Sequence, residues 1–321
     1  MSTVEVLAPG LLTTVQDLGR EGFGPLGISP SGAADALSLR VGNLLAGNPE
    51  NAAALEMTLL GGTFRFPQGC FMALAGSDFG ATLDGAPVEP WSAVQARPGQ
   101  TLQVGSTRSG ARCYLCVHGG IAVTPFLGSA STHLLSGLGG FEGRALRKGD
   151  MLTIGTEAGH LEDRSHDYGG GRTIPVATIE RLLPRRTLRV TVGPQSDWFP
   201  ESSRRAFYET AYRLTEESDR LGMRLAGAEL PCPPGGEMIT EGVSLGAIQV
   251  PPGGQPIIVF VEQQTTGGYP KIANVISADL HTVGQLRPRD EIRFELAELE
   301  AARSLLREQE QLLASRELIR I

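Results

Sequence analysis

The chain is poor in aromatic residues, cysteine, long apolar runs and net positive charge, and each shortage removes a class of function. Aromatics make up 6% of its 321 residues. Acidic residues outnumber basic ones by 35 to 28, a net charge of -7. That balance disfavours nucleic acid as a partner, because a phosphate backbone calls for a basic surface. Four cysteines, Cys70, Cys113, Cys116 and Cys232, are too few for a disulfide scaffold at this length. Cys113 and Cys116 form a CxxC within the run 112–117, which reads as a buried strand. Residues three apart on a strand point to opposite faces, so the pair is expected in the core and not on a metal or redox site. No second CxxC or HxxxH completes a zinc set. No basic segment followed by an apolar stretch opens the chain, and no run of about 18 apolar residues occurs. The expectation is a cytoplasmic chain with neither leader nor membrane span.

Glycine and proline are plentiful, at 42 and 21 residues. That is about a fifth of the chain, above average usage but below the roughly 25–30% that signals disorder. The chain is therefore expected to be ordered, turn-rich and mostly β, with a few helices. Its length corresponds to roughly two domains of about 150 residues, each large enough for its own core. Residues 3–16 read as a hairpin around Pro9-Gly10. A glycine-dense loop follows, and then a helix from Asp35 to Leu45, with Ser31 or Asp35 as N-cap and Gly47 as its stop. From 61 to 155, short β-rich runs alternate with turn signals every 8–12 residues or so, the pattern of a barrel or sandwich. The polar stretch 155–174 reads as a linker region. A second strand-rich block runs to about 295, interrupted by the proline-rich loop 230–236. The expected division is a domain over 1–170, a linker over 171–185, a β-barrel domain over 186–295 and a helix over 296–321. Leucines at 299, 306 and 313 repeat every seven residues in that tail, which would either dock on a partner or pack on its own domain.

The familiar nucleotide motifs do not fit. Gly19-Arg-Glu-Gly22-Phe-Gly24 lacks an immediately following helix, so it is not a dinucleotide fingerprint, and no Walker loop occurs. The single GxSxG-like run, at 27–32, is interrupted by Pro30. His118 ends a strand run, and His160 and His166 lie in the linker, where solvation is their simplest reading. Three polar clusters stand out: Gln16, Asp17, Arg20, Ser29, Ser31 and Asp35; then Gln195 to Asp197 with Ser218 to Arg220; then 262–271. The third follows an apolar strand over 257–261 and carries a glycine pair that permits close backbone approach. Its amides, hydroxyls, phenol and ammonium suit a small polar amide or carboxylate, and Lys271 would stabilise developing negative charge. The plainer alternative is a polar hairpin loop capped by Tyr269. Lys271 follows a proline, so it is expected at a loop exit and not within a strand, as an exposed charge contributing at most about 1 kcal/mol to folding. Gln264, Thr265, Tyr269 and Lys271 are thus the candidates for substrate binding, with Arg20, Asp35, Gln195 and Arg220 as a facing wall.

These blocks, in this order, resemble one family. Val15-Gln-Asp-Leu-Gly-Arg20, Gly27-Ile-Ser-Pro-Ser-Gly32, Asn48-Pro49, Val117-His-Gly-Gly-Ile121, Leu127-Gly-Ser129 and Lys148-Gly-Asp150 are followed by Gly193-Pro-Gln195, Ser218-Asp-Arg220, Ile248-Gln-Val-Pro-Pro252 and Gln264-Thr-Thr-Gly-Gly-Tyr-Pro270. Together, over about 3–295, they resemble the biotin-dependent carboxyltransferase (allophanate hydrolase subunit 2, KipA-like) family, whose members include the C subunit of 5-oxoprolinase. The resemblance implies two β-barrel-like domains, the second cyclophilin-like. It implies ATP-dependent opening of 5-oxo-L-proline to L-glutamate, with a KipI-like B component and a LamB/YcsF-like A component as partners. It also implies two alternatives: carboxyl transfer from biotin to urea or a similar small amide, or a non-catalytic regulatory antagonist of a KipI-like kinase inhibitor. No family nucleophile is carried over, and the chain lacks the Ser-Ser-Lys pattern of an amidase. The expected site is Lys271, Tyr269 and Asp35 as catalytic groups, with Arg20, Ser29, Gln195, Arg220, Gln264 and Thr265 binding substrate. No metal is expected, and the ATP site is not assigned to any residue.

Overall fold

The computed structural model describes residues 2–156, 171–231 and 238–320. His160, His166, Cys232, most of the expected linker stretch and most of the proline-rich loop lie outside the described residues. The chain divides into two compact units. The first comprises 1–20, 35–183 and 313–321; the second comprises 21–34 and 184–312. The stretch 21–34 thus belongs to the second unit, although it lies within the first expected domain.

Two β-sheets build the first unit. One has seven strands in the order Ile121–Ala122, Met151–Ile154, Thr3–Ala8, Thr63–Arg65, Thr101–Gln103, Thr82–Leu83 and Ala86–Pro87. The other orders Leu12–Gln16, Ala54–Thr58, Arg112–Val117, Cys70–Gly76 and Ser92–Ala96. The expected hairpin over 3–16 does not form. Its two strands belong to different sheets, because Pro9-Gly10 is a corner between sheets and not a two-strand turn. Gly10 has φ +74, and a Cβ there would lie 2.5 Å from the Gly61 carbonyl oxygen, so no other residue fits the corner. Alternating Val4, Val6 and Phe64 meet Leu55, Met57, Leu74 and Leu115 in one apolar core.

The helix Ala36–Ala46 is started by Asp35, whose carboxylate accepts from the Ser38 N–H, and stopped by Gly47 at φ +79. Gly42 lets it approach the strand beneath, since a Cβ there would lie 2.7 Å from Cys116 Sγ. Cys113 and Cys116 are both buried. Burial pushes the Cys113 thiol up to about 12 and raises that of Cys116 further, which leaves neither as a thiolate nucleophile.

A closed seven-stranded barrel forms the second unit, running Thr187–Val192, Lys271–Val275, Ala247–Gln249, Ile257–Val259, Gly222–Ala226, Tyr212–Leu214 and Glu291–Leu296. Closure leaves these strands no free edge. Leu188, Val190, Tyr212, Ile248, Ile258, Phe260 and Phe294 fill the interior, and Phe207 from the helix Glu201–Glu209 stacks on Phe294 with ring centroids 4.5 Å apart. The tail helix is shorter than expected, Leu299–Ala314. Ala302 and Leu305 pack beside Ile276 and Ala278, and Gln309 Nε2 donates to the Ala278 carbonyl at 3.3 Å, so part of its face is covered by its own unit. A seven-residue helix, Val176–Leu182, falls in the expected linker. Among the described residues no helix is long and apolar enough to cross a membrane.

Candidate functional site

The second unit gathers the clearest constellation around Lys271. This is one of only two lysines in the chain. Contrary to the expectation of an exposed loop charge, Lys271 opens the barrel strand Lys271–Val275, and its side chain is 4% exposed. The preceding Pro270 did not exclude the strand, because Pro270 precedes the ladder and contributes its carbonyl, which accepts from Val250 N at 3.0 Å. The ammonium pairs with Glu241, whose side chain is 44% exposed. Gln195 locks both partners. Its N–H donates to the Lys271 carbonyl at 3.2 Å. Its Oε1 accepts from the Lys271 N–H at 3.1 Å, and its Nε2 donates to Glu241 Oε1 at 3.0 Å. Gly193 makes the turn possible, since a Cβ there would lie 2.6 Å from Ala273 N. The Lys271 ammonium, then Gln195, hold the Glu241 carboxyl below its usual range by hydrogen bonding.

Glu241 arrives on a two-stranded ribbon in which Glu241 and Gly242 pair with Gly267 and Thr266. The ribbon therefore brings the glycine pair of the third cluster to Lys271. Gln249 lies across the barrel ladder from Lys271, at a register shift that follows Ile248. A Cβ on Gly267 would lie 2.6 Å from Gln249 Nε2 and 3.1 Å from Gln264 Nε2. Gln195 is thus brought to Lys271, and Gln264 Nε2 to the Gly267 position beside Gln249. Thr265 lies next along the chain and gives its carbonyl to Val243 N at 3.2 Å. Tyr269 is half-exposed.

Other expected site residues occupy different settings. Ser29 and Arg220, both buried, fasten the 21–34 stretch within the second unit. Ser29 Oγ donates to the Val261 carbonyl at 3.2 Å. Arg220 donates from Nε to Glu262 at 2.5 Å and from Nη2 to the Gly32 carbonyl at 2.6 Å. In the first unit, both Asp35 carboxylate oxygens accept from Ser38, at 2.9 and 2.5 Å, as a helix cap. Arg20 lies over the Phe126 ring and donates to the carbonyls of Phe126 and Ser131 at 3.3 and 2.5 Å. His118 Nδ1 donates to the Ala46 carbonyl at 2.9 Å, at the end of the helix.

Sequence reasoning missed Glu241 and Gln249. Gln249 carried a signal, as one amide inside the apolar run 247–250. Glu241 carried none, standing thirty positions from Lys271. Among the described residues no group of three or more His, Cys, Asp or Glu is arranged to hold a metal ion.

Comparison with known proteins agrees with the resemblance. A family profile described as "Carboxyltransferase domain, subdomain A and B" matches residues 26–296. The C subunit of 5-oxoprolinase from Haemophilus influenzae is 39% identical over 307 residues, covering 96% of this chain and 95% of that protein. Its Escherichia coli counterpart is also 39% identical, covering 93% of each. The crystal structure of the K. lactis urea amidolyase superposes with a TM-score of 0.88 at 31% identity, covering 99% of this chain but 21% of that one. The chain therefore spans about a fifth of the amidolyase.

Proposed function

Since the chain belongs to the carboxyltransferase domain, subdomain A and B family, we propose that it is the C component of an ATP-dependent 5-oxoprolinase. The near end-to-end likeness to two 5-oxoprolinase C subunits carries this reading. The complex, with a KipI-like B component and a LamB/YcsF-like A component, would add water across the lactam C–N bond of 5-oxo-L-proline. The product would be L-glutamate, with ATP hydrolysed to ADP and phosphate. The cytoplasm is the compartment where ATP is available to it. Activity would belong to the assembly, and each unit of the chain would act as a separately folded domain within it.

The Lys271 cluster supports a place for the amide. A buried ammonium beside amide N–H donors suits an oxygen on which negative charge grows as the carbonyl is attacked. Lys271 would carry the charge, Gln195 and Glu241 would fix its position, and Gln264, Thr265 and Tyr269 would line the approach. The closed bonding of Asp35, Ser29 and Arg220 favours a supporting part for those three. The glycine-dense loop does not fit a triphosphate: only a three-residue turn, Gly24–Leu26, forms within it, and the next helix, Ala36–Ala46, does not follow it directly.

The test is reconstitution. This chain with both partner proteins should consume ATP and form glutamate when given 5-oxo-L-proline, and a folded, complete assembly without turnover would sink the reading. A second reading, carboxyl transfer to urea, is favoured by the 0.88 TM-score to the amidolyase. There, a carboxylated biotin carried by another domain would supply the carboxyl group, and Lys271 with Gln249 would hold the transferred oxygens.

A further inference from the structure

Gln249 is buried, 4% exposed, on the barrel strand Ala247–Gln249. Its Nε2 finds no hydrogen-bond partner among the described residues. An amide N–H in that state carries an uncompensated desolvation penalty unless something accepts from it. The neighbourhood is rich in donors. Lys271 is the cross-strand partner, and Gln264 Nε2 reaches the same Gly267 position. The acceptor there, Glu241 Oε1, is already shared by Lys271 and Gln195. Gly267 contributes by lacking a side chain, since a Cβ would press on Gln249 Nε2 at 2.6 Å and on Val243 at 2.9 Å. The site therefore has an unused neutral donor across the strand pair from a fixed cation, packed closely over the Gly267 backbone. That combination recognises an oxygen acceptor carrying partial negative charge. A cation or a ligand presenting only donors would leave the amide unsatisfied.

We propose that Gln249 binds the carbonyl oxygen of the amide substrate, donating from Nε2 to the oxygen that Lys271 faces. This rests on the 5-oxoprolinase reading above and adds a residue to it. A neutral donor that strengthens its bond as charge develops favours the transition state over the bound amide.

The experiment is Gln249→Met in the reconstituted three-protein complex, with thermal unfolding of the full chain alongside. Met keeps the volume and removes the donor. Deleting a donor that has no partner in the free protein should leave Tm unchanged or raise it. Meanwhile kcat/KM for 5-oxo-L-proline should fall about tenfold or more. Inhibition by 2-pyrrolidinone, the same lactam without a carboxylate, should weaken in parallel. Unchanged kcat/KM would overturn the assignment. So would a loss of activity only in proportion to a fall in Tm, or unchanged inhibition by 2-pyrrolidinone. If the Met variant fails to fold, Gln249→Glu serves instead, because it replaces the donor with an acceptor at nearly constant shape and should lose activity at least as severely. An inactive wild-type complex would count against the 5-oxoprolinase reading itself. An active wild type with an unaffected variant would overturn only the role of Gln249.

Discussion

In the first unit the Asp17 carboxylate accepts from Ser129 Oγ, Ser131 Oγ, Ala130 N and Gly19 N, all within 2.8 Å. In the second unit the cluster around Lys271 leaves one buried amide donor without an acceptor and its carboxylate partly in water. Both groups were polar clusters in the sequence. One is a closed fastening of loops, and the other is open toward something it lacks. Closure rigidifies a fold, whereas an unsatisfied donor beside a cation is expected where a ligand completes the set.

The difference can be broken from either side. Asp17→Ala should have the largest effect on folding. It leaves several buried donors without an acceptor, each costing about 1–3 kcal/mol, so a loss of at least about 3 kcal/mol is expected in denaturant unfolding. A loss below about 1 kcal/mol would mean that the first cluster is not a fastening. Lys271→Met should do the reverse. Activity of the complex should fall at least about tenfold, about 1.4 kcal/mol. Stability should stay within about 1 kcal/mol, because Met fills the same volume and Glu241 is left at the solvent edge. Unfolding that tracks the loss of activity would erase the contrast.

The smallest effect concerns acid. Asp150 is held below its usual range, first by hydrogen bonding to the Arg144 guanidinium, with the Arg147 N–H also contributing, against the opposing effect of burial. Its folded value is depressed, so its contribution to stability is present above about pH 4, the ordinary Asp range. It is lost as pH falls below that range toward the folded value. Urea midpoints measured between pH 5 and pH 2 should show this dependence, worth about 1 kcal/mol or less for one partly exposed pair, and Arg144→Met should remove it.

Much of the fold was legible because its signals are local. The runs later found as Arg112–Val117 and Met151–Ile154 announced themselves by apolar continuity between turns. Asp35 and Gly47 bounded their helix through hydrogen bonds to residues three or four positions away. The strands Gly222–Ala226 and Lys271–Val275 were missed. Each carries charge or polarity that reads as loop until the barrel supplies its neighbours.

By itself the sequence determined the β-rich character, the core placement of Cys113 and Cys116, and the capped helix. Those features rest on periodicity, composition and short-range bonding, which a linear chain displays. Only the tertiary structure decided that residues 3–16 are a corner between two sheets, that Lys271 is buried, and that Glu241 is its partner. Pairings over thirty or more positions depend on which strands meet, and strand meeting is set by closing the barrel as a whole.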